Sequence, residues 1–260
     1  MFQNRSGMLG GVPPVTLNII IITFVCWFAQ LLLDRTGIVD VTNLLGLHFF
    51  QSKDFYPHQL ITYMFMHATY DSSGYISFMH IFFNMFALFM FGRTLELVWG
   101  PKRFLFFYVV TGIGAALLNM LIIYIRIQSL ESNIPPELVS QVYNEGLSIL
   151  KNNQNYSNPL LGQLNLLINS SMIGASGAVY GILVAFGMLF PNTELMIIPI
   201  PIPIKAKYMV ILLGVISLVL GVWDNPGDNV AHFAHLGGLL TGLIIVLYWK
   251  RQNKKNGRFY

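Results

Sequence analysis

Two histidines, an asparagine, a serine and a tyrosine interrupt stretches of this chain that are otherwise apolar, and their spacing is helical. His80 and Asn84 stand four residues apart, as do Ser176 and Tyr180, and His235 is followed three and seven residues later by Gly238 and Gly242. Each set therefore shares one face of a helix. A serine within hydrogen-bond reach of a histidine is an activated nucleophile: imidazole titrates near neutral pH, takes the hydroxyl proton and returns it to a leaving amine. His80 and Asn84, together with the Ser176 backbone N–H, would then offer donors to the oxyanion of a tetrahedral intermediate.

The composition says what must position these groups. Of 260 residues 55% are hydrophobic and 10% charged, with a mean hydropathy of +0.61. Charges this scarce exclude a water-soluble domain. Six apolar runs of roughly spanning length are read, at about 15–33, 80–99, 104–125, 173–190, 206–223 and 231–249. The expectation is one all-α polytopic membrane domain, 1–260, a bundle of six transmembrane helices. Ionisable residues inside spanning helices are costly and mark functional sites by default. Glycines at Gly238 and Gly242 on the sixth helix and at Gly177 and Gly181 on the fourth would let the two backbones approach closely. Such a pairing brings Ser176 and His235 together.

With the N-terminus cytoplasmic, only Arg35, Lys53, Arg126 and Lys151 of the fifteen basic residues fall on the outer side, and so do nine of the eleven acids, all but Glu96 and Glu194. The positive-inside rule then places both termini in the cytoplasm and the polar residues of the second, fourth and sixth helices at one depth in the outer leaflet. The net charge of +4 follows from this placement, so it does not point to nucleic acid. Two long external loops are expected. The first, about 34–79, is rich in aromatic and apolar residues and reads as partly embedded in the membrane. The second, about 126–172, contains an Asn-rich stretch, 152–158, that reads as solvated and mobile. Pro199, Pro201 and Pro203 impose an extended segment. Cys26, the single cysteine, reads as a packing residue.

Taken in order, His80-x-x-x-Asn84, Phe91-Gly92-Arg93-x-x-Glu96, Gly174-Ala-Ser176-Gly177 with Tyr180, and Ala231-His-x-x-His235-x-Gly-Gly238-x-x-x-Gly242 resemble the rhomboid intramembrane serine proteases of the bacterial six-helix type. The resemblance implies Ser176 as nucleophile and His235 as base, with His80, Asn84 and the Ser176 amide as oxyanion hole. It also implies that Tyr180 packs on the His235 ring. Substrates would be single-pass transmembrane helices in the lipid bilayer, cut without any cofactor or metal, and the protein would sit in a bacterial cytoplasmic membrane with its site facing outward. The family works with a dyad and no orienting acid, which fits the lack of Asp and Glu in the fourth and sixth helices. Two features depart from the pattern. The tryptophan–arginine pair of the family's first loop is replaced by His58-Gln59, and the stretches Ala68–Phe78 and 126–172 look like insertions relative to the simplest bacterial members.

Blander readings compete. A lone membrane serine is more often a packing residue; the accompanying His and Asn helices reverse those odds. His232 and His235 stand three apart, but a zinc protease wants His-Glu-x-x-His and a further ligand, and that glutamate is absent. His67 aligns with a family position supporting the oxyanion region, and His48 and His58 read as interfacial. Glu96 reads as a partner of Arg93 or a cap of the cytoplasmic helix end rather than a catalytic group. A transporter would line a pathway with such residues, but it would commonly show repeated halves and broken helices, and neither is seen. A catalytically silent rhomboid-like binder of membrane helices is the nearer rival, against which both Ser176 and His235 are intact.

Overall fold

A computed structural model describes residues 11–36, 38–71, 73–197, 200–223 and 231–255. Arg5, Pro199, Arg258 and the 224–230 segment with Asp224 and Asp228 lie outside the described residues.

The chain is an integral membrane protein and mostly helical. Helix α1 (Pro14–Thr36) is followed by a connection carrying two short helices, α2 (Val41–Leu45) and α3 (Gln59–Thr62). The run Met79–Trp99 is built as α4 (Met79–Ala87), a π-helical turn over Leu88–Gly92, and α5 (Arg93–Trp99). Gly100, at φ +80, stops it, and Pro101 opens α6 (Pro101–Glu131); glycine past a helix end and proline at a helix start are the residues these positions favour. Then come α7 (Pro136–Lys151), α8 (Pro159–Asn169), α9 (Ser176–Leu189), α10 (Ala206–Trp223) and α11 (His232–Lys255). Five of these runs are long and apolar enough to cross a membrane: α1, Met79–Trp99, α6, α10 and α11. The sixth apolar helix, α9, is shorter. The proline-rich segment is extended as expected, and it pairs into a small antiparallel hairpin, β1 (Glu194–Ile197) with β2 (Ile200–Lys205).

The expectation of an irregular second loop needs correction. α6 runs on to Glu131, and α7 and α8 occupy most of the rest. The Asn-rich stretch is tied down. The Asn158 side chain caps α8 by accepting from the Leu160 and Leu161 N–H groups, as short polar residues do at helix starts. Asn155 accepts from the fully buried Asn165, which also donates to Gly146 O. Val142, Leu164 and Ile168 form a separate apolar cluster with Ile127 of α6 and Phe49 of the first loop. Ser52 Oγ donates to Asn169 Oδ1, and Lys151 pairs with Asp54 at 2.8 Å. The second connection is thus a packed cap that grips the first.

At the other end, Glu96 caps a helix, as one of its two readings has it, and the helix is α1. Its buried carboxylate accepts from Val15 N–H (2.9 Å), Thr16 N–H (2.7 Å) and Thr16 Oγ (2.7 Å), so it caps the N-terminus of α1 rather than its own helix. A carboxylate is favoured there by the orphan N–H groups and the helix dipole. Glu96→Ala is expected to lower stability by about 2–3 kcal/mol, the scale of hydrogen bonds to a charged group. Thermal unfolding in detergent measures this, and activity per folded molecule should be unchanged.

The centre of the bundle is α6, α9 and α11 in contact. A Cβ on Gly238 would overlap the Gly177 carbonyl oxygen, and one on Gly242 would stand 3.0 Å from Gly181 Cα. The close approach of α9 and α11 is therefore as expected. Gly177 and Gly181, however, turn their missing side chains toward Ala115 and Thr111 of α6, a third helix in the packing.

Candidate active site

The approach to Ser176 is fixed by two backbone donors that point away from the helix. Gly174 N–H donates to Tyr63 O at 2.9 Å, and Ala175 N–H donates to His67 Nε2 at 3.4 Å. Gly174 also has φ +120, a backbone shape that glycine alone adopts without strain. The helix expected from 173 therefore starts at Ser176, and Gly174 lies outside it. Two consequences follow. The Ser176 N–H is among the first-turn donors that have no partner within the helix. And α9, with 14 residues, is roughly 21 Å long against a hydrocarbon core of about 30 Å, so it is too short to reach both faces.

Ser176 Oγ and His235 Nε2 are 2.9 Å apart. His235 lies in the first turn of α11 and is nearly buried; the contact is delivered by the glycine packing below it. The Tyr180 ring stacks on the His235 ring, centroids 4.1 Å apart and planes within 8°. Ser217 Oγ of α10 donates to Tyr180 Oη at 3.4 Å. The other histidine of the pair, His232, stands with its ring 6.0 Å from that of His235 and nearly perpendicular to it. Among the described residues no group of three His, Cys, Asp or Glu is placed to hold a metal.

His80 comes in from α4. Its Nδ1 accepts the Ala68 N–H at 3.4 Å, which assigns the proton of the neutral ring to Nε2. A Cβ built on Gly174 would stand 2.9 Å from that Nε2 and 3.9 Å from Ser176 Oγ. The space left by the missing side chain thus lies between the hydroxyl and a ring N–H, where the oxygen of a carbonyl attacked at carbon by Ser176 could accept. Buried Asn84 donates one amide hydrogen to His80 O at 2.9 Å, and the second remains for such an oxygen.

His67 packs 4.9 Å from the His80 ring. Burial, and then the neighbouring His80, push its pKa down to about 3, so it stays neutral, as accepting the Ala175 N–H requires. The first loop is anchored at Gln59, beside His58. Gln59 is fully buried; its Nε2 donates to Asp54 O at 2.8 Å, and its Oε1 accepts from the His48 and Tyr56 N–H groups, each at 3.2 Å. The uncharged amide supplies both donors and an acceptor, which a buried arginine could not.

The structure brings Ser176, His235, His80, Asn84 and Tyr180 together, and adds Tyr63, Ala68 and Ser217, which the sequence does not single out. Tyr63 and Ala68 act on the site through main-chain groups, which side-chain type does not reveal. The Tyr63 hydroxyl, which donates to Gly112 O at 2.8 Å, carries a signal only in that a buried phenol needs a partner.

Residues 54–252 match the model of the Rhomboid domain family. The chain is also similar to "Rhomboid protein 1, mitochondrial" of Saccharomyces cerevisiae, with 24% identity over 183 residues, 68% of this chain and 40% of that protein. It therefore spans less than half the length of that relative.

Proposed function

This chain belongs to the rhomboid family, and on that premise we propose that it is a serine endopeptidase acting through a Ser176–His235 dyad on single-pass transmembrane proteins. Membership supports intramembrane proteolysis in general. The observation that carries the finer reading is the 2.9 Å contact between Ser176 Oγ and His235 Nε2, beside a gap at Gly174 bounded by His80 Nε2.

In this reading His235 takes the Ser176 proton as Oγ bonds to the scissile carbonyl carbon. The carbonyl oxygen becomes an oxyanion that accepts from the Ser176 N–H, His80 Nε2–H and Asn84 Nδ2–H, donors fixed before the charge develops. As the C–N bond breaks, the proton passes from His235 to the departing amine, leaving an ester on Ser176. Water, deprotonated by His235, then hydrolyses the ester. The stacked Tyr180 ring holds His235 in plane through both halves. No step needs a metal or cofactor, and residues 1–260 act as one membrane domain.

A peptide bond inside a membrane helix has its carbonyl bonded along the helix, so it must unwind locally to reach Ser176. Unwinding is tolerable only where water or protein satisfies the freed groups. The short α9 supports a site that lies below one membrane face yet open to it. The basic-residue count supports that face being the extracytoplasmic side, with both termini cytoplasmic, and the family resemblance supports a bacterial cytoplasmic membrane. The test is mass spectrometry of products from a single-pass substrate reconstituted with the purified protein. Cuts are expected in the outer part of the helix or just beyond it, after a small residue, where Gly, Ala, Ser or Pro weaken the helix. Cuts confined to the cytoplasmic half would overturn the orientation and the site together. A fluorophosphonate probe that fails to label Ser176 would favour a silent binder.

A further inference from the structure

Helix α1 lends no side chain to Ser176 or His235, yet it grips the segment that sets His80. Trp27 Nε1–H donates to Ala68 O at 3.1 Å, and Ala68 is the residue whose N–H bonds His80 Nδ1. One residue on, Thr69 Oγ1 donates to Asp34 Oδ2 at 2.6 Å. The chain then turns back on itself: Ser77 N–H donates to Thr69 O at 2.8 Å, and Tyr70 bridges Ile76. It re-enters α4 through Phe78, whose ring meets Trp27 edge-on at 6.0 Å. The inserted stretch Ala68–Phe78 is therefore held at its two ends by Trp27 and at its first turn by Asp34, two residues before the imidazole. Trp27 and Thr69 are both buried.

These contacts decide which nitrogen of His80 carries the proton. With the Ala68 N–H on Nδ1, the lone pair is there and the proton is on Nε2, facing the gap beside Gly174. A ring released from the Ala68 amide could take the other tautomer, which puts a lone pair where a donor is needed. Neither Trp27 nor Asp34 reaches the gap, so any effect passes through residues 68 and 69.

We propose that Trp27 and Asp34 of α1, through Ala68 and Thr69, are positioning residues that hold His80 as an Nε2–H donor toward the developing oxyanion. This rests on the Ser176–His235 reading above. The test uses Trp27→Phe, which keeps a ring against Phe78 but loses the N–H, and Thr69→Val against Thr69→Ser, which differ in the hydroxyl alone. Each is measured for kcat and KM on a reconstituted transmembrane substrate, in the wild-type and His80→Ala backgrounds. Removing a whole oxyanion donor costs roughly 10²- to 10³-fold; Trp27→Phe and Thr69→Val, which only loosen one, should lower kcat by about threefold to thirtyfold at unchanged KM. Thr69→Ser should restore the wild-type kcat. In the His80→Ala background neither substitution should lower kcat further, because the donor they position is gone; residues acting through a shared partner are non-additive.

Equal fractional losses in both backgrounds would overturn the proposal, since a general loosening of the bundle multiplies through. So would a wild-type kcat for Thr69→Val. If Trp27→Phe does not fold, the Thr69 pair decides alone. Cleavage that survives Ser176→Ala would instead overturn the dyad reading, so the two failures are distinguishable.

Discussion

Ser176→Ala is expected to lower cleavage of a membrane substrate by about 10⁴- to 10⁶-fold, the range seen when a nucleophile that acts as a unit with its base is removed, with no loss of stability. The size follows from the geometry. Among the described residues Ser176 Oγ is placed against the proton acceptor His235 Nε2 at 2.9 Å, and bond formation and proton transfer are coupled through that contact. His235→Ala should therefore be nearly as damaging, and the double variant no worse than the worse single one. Stability should hold because Ser176 is the first residue of α9 and its hydroxyl serves no cap: the bonds that fix the approach are those of Gly174 and Ala175 N–H. The measurement is single-turnover cleavage of a reconstituted substrate, beside thermal unfolding of the same preparation. Substantial cleavage by Ser176→Ala would remove the serine from the chemistry. A stability loss matching the activity loss would return Ser176 to the packing role that small residues have in membrane helices.

The division between what the sequence reveals and what it hides follows from how each contact is made. Spanning helices are legible because the bilayer forces long apolar runs, and Gly238 and Gly242 forecast the contact of α11 with α9 because small residues let backbones approach closely, whereas Gly177 and Gly181 give no sign that they face Ala115 and Thr111 of α6. The polar set is legible because Ser, His and Asn are expensive in hydrocarbon. What stays hidden passes through the main chain. Nothing in the letters Tyr63 or Ala68 says that their backbone groups meet Gly174 and His80. The start of α9 was misplaced for the same reason, since an apolar run does not show where its N–H groups are diverted. α7 and α8 are hidden within the second loop because the Asn-rich stretch between them reads as solvated, which its exposure bears out, while Asn155 and Asn158 also bond Asn165 and the start of α8. Which helix Glu96 caps is hidden because its partners, Val15 and Thr16, lie about eighty residues away.

Gly174→Ala is the second large effect expected, and it separates the oxyanion site from the dyad. The added methyl has two consequences. At φ +120 an L-residue is strained by about 1–3 kcal/mol, and the bond from residue 174 N–H to Tyr63 O resists relaxation of the backbone. The Cβ also enters the gap, 2.9 Å from His80 Nε2 and 3.1 Å from Cε1, closer than carbon approaches these atoms without displacement. Either the His80 ring moves, and its N–H leaves the oxyanion, or the methyl stays where the carbonyl oxygen must sit. Each alternative removes at least one donor, so kcat should fall by at least roughly 10²- to 10³-fold. Ser176 Oγ stands 3.9 Å from the new methyl, an ordinary contact, so the Ser176–His235 bond should persist. Gly177→Ala is the control. Its Cβ would overlap Ala115 of α6, so it should cost stability by crowding the helix packing while sparing the gap. A Gly174→Ala protein with wild-type kcat would show that the carbonyl oxygen lies elsewhere. The combination expected is a folded Gly174→Ala protein, about 1–3 kcal/mol less stable, with little cleavage per folded molecule, and a Gly177→Ala protein that also loses stability but whose folded fraction still cuts.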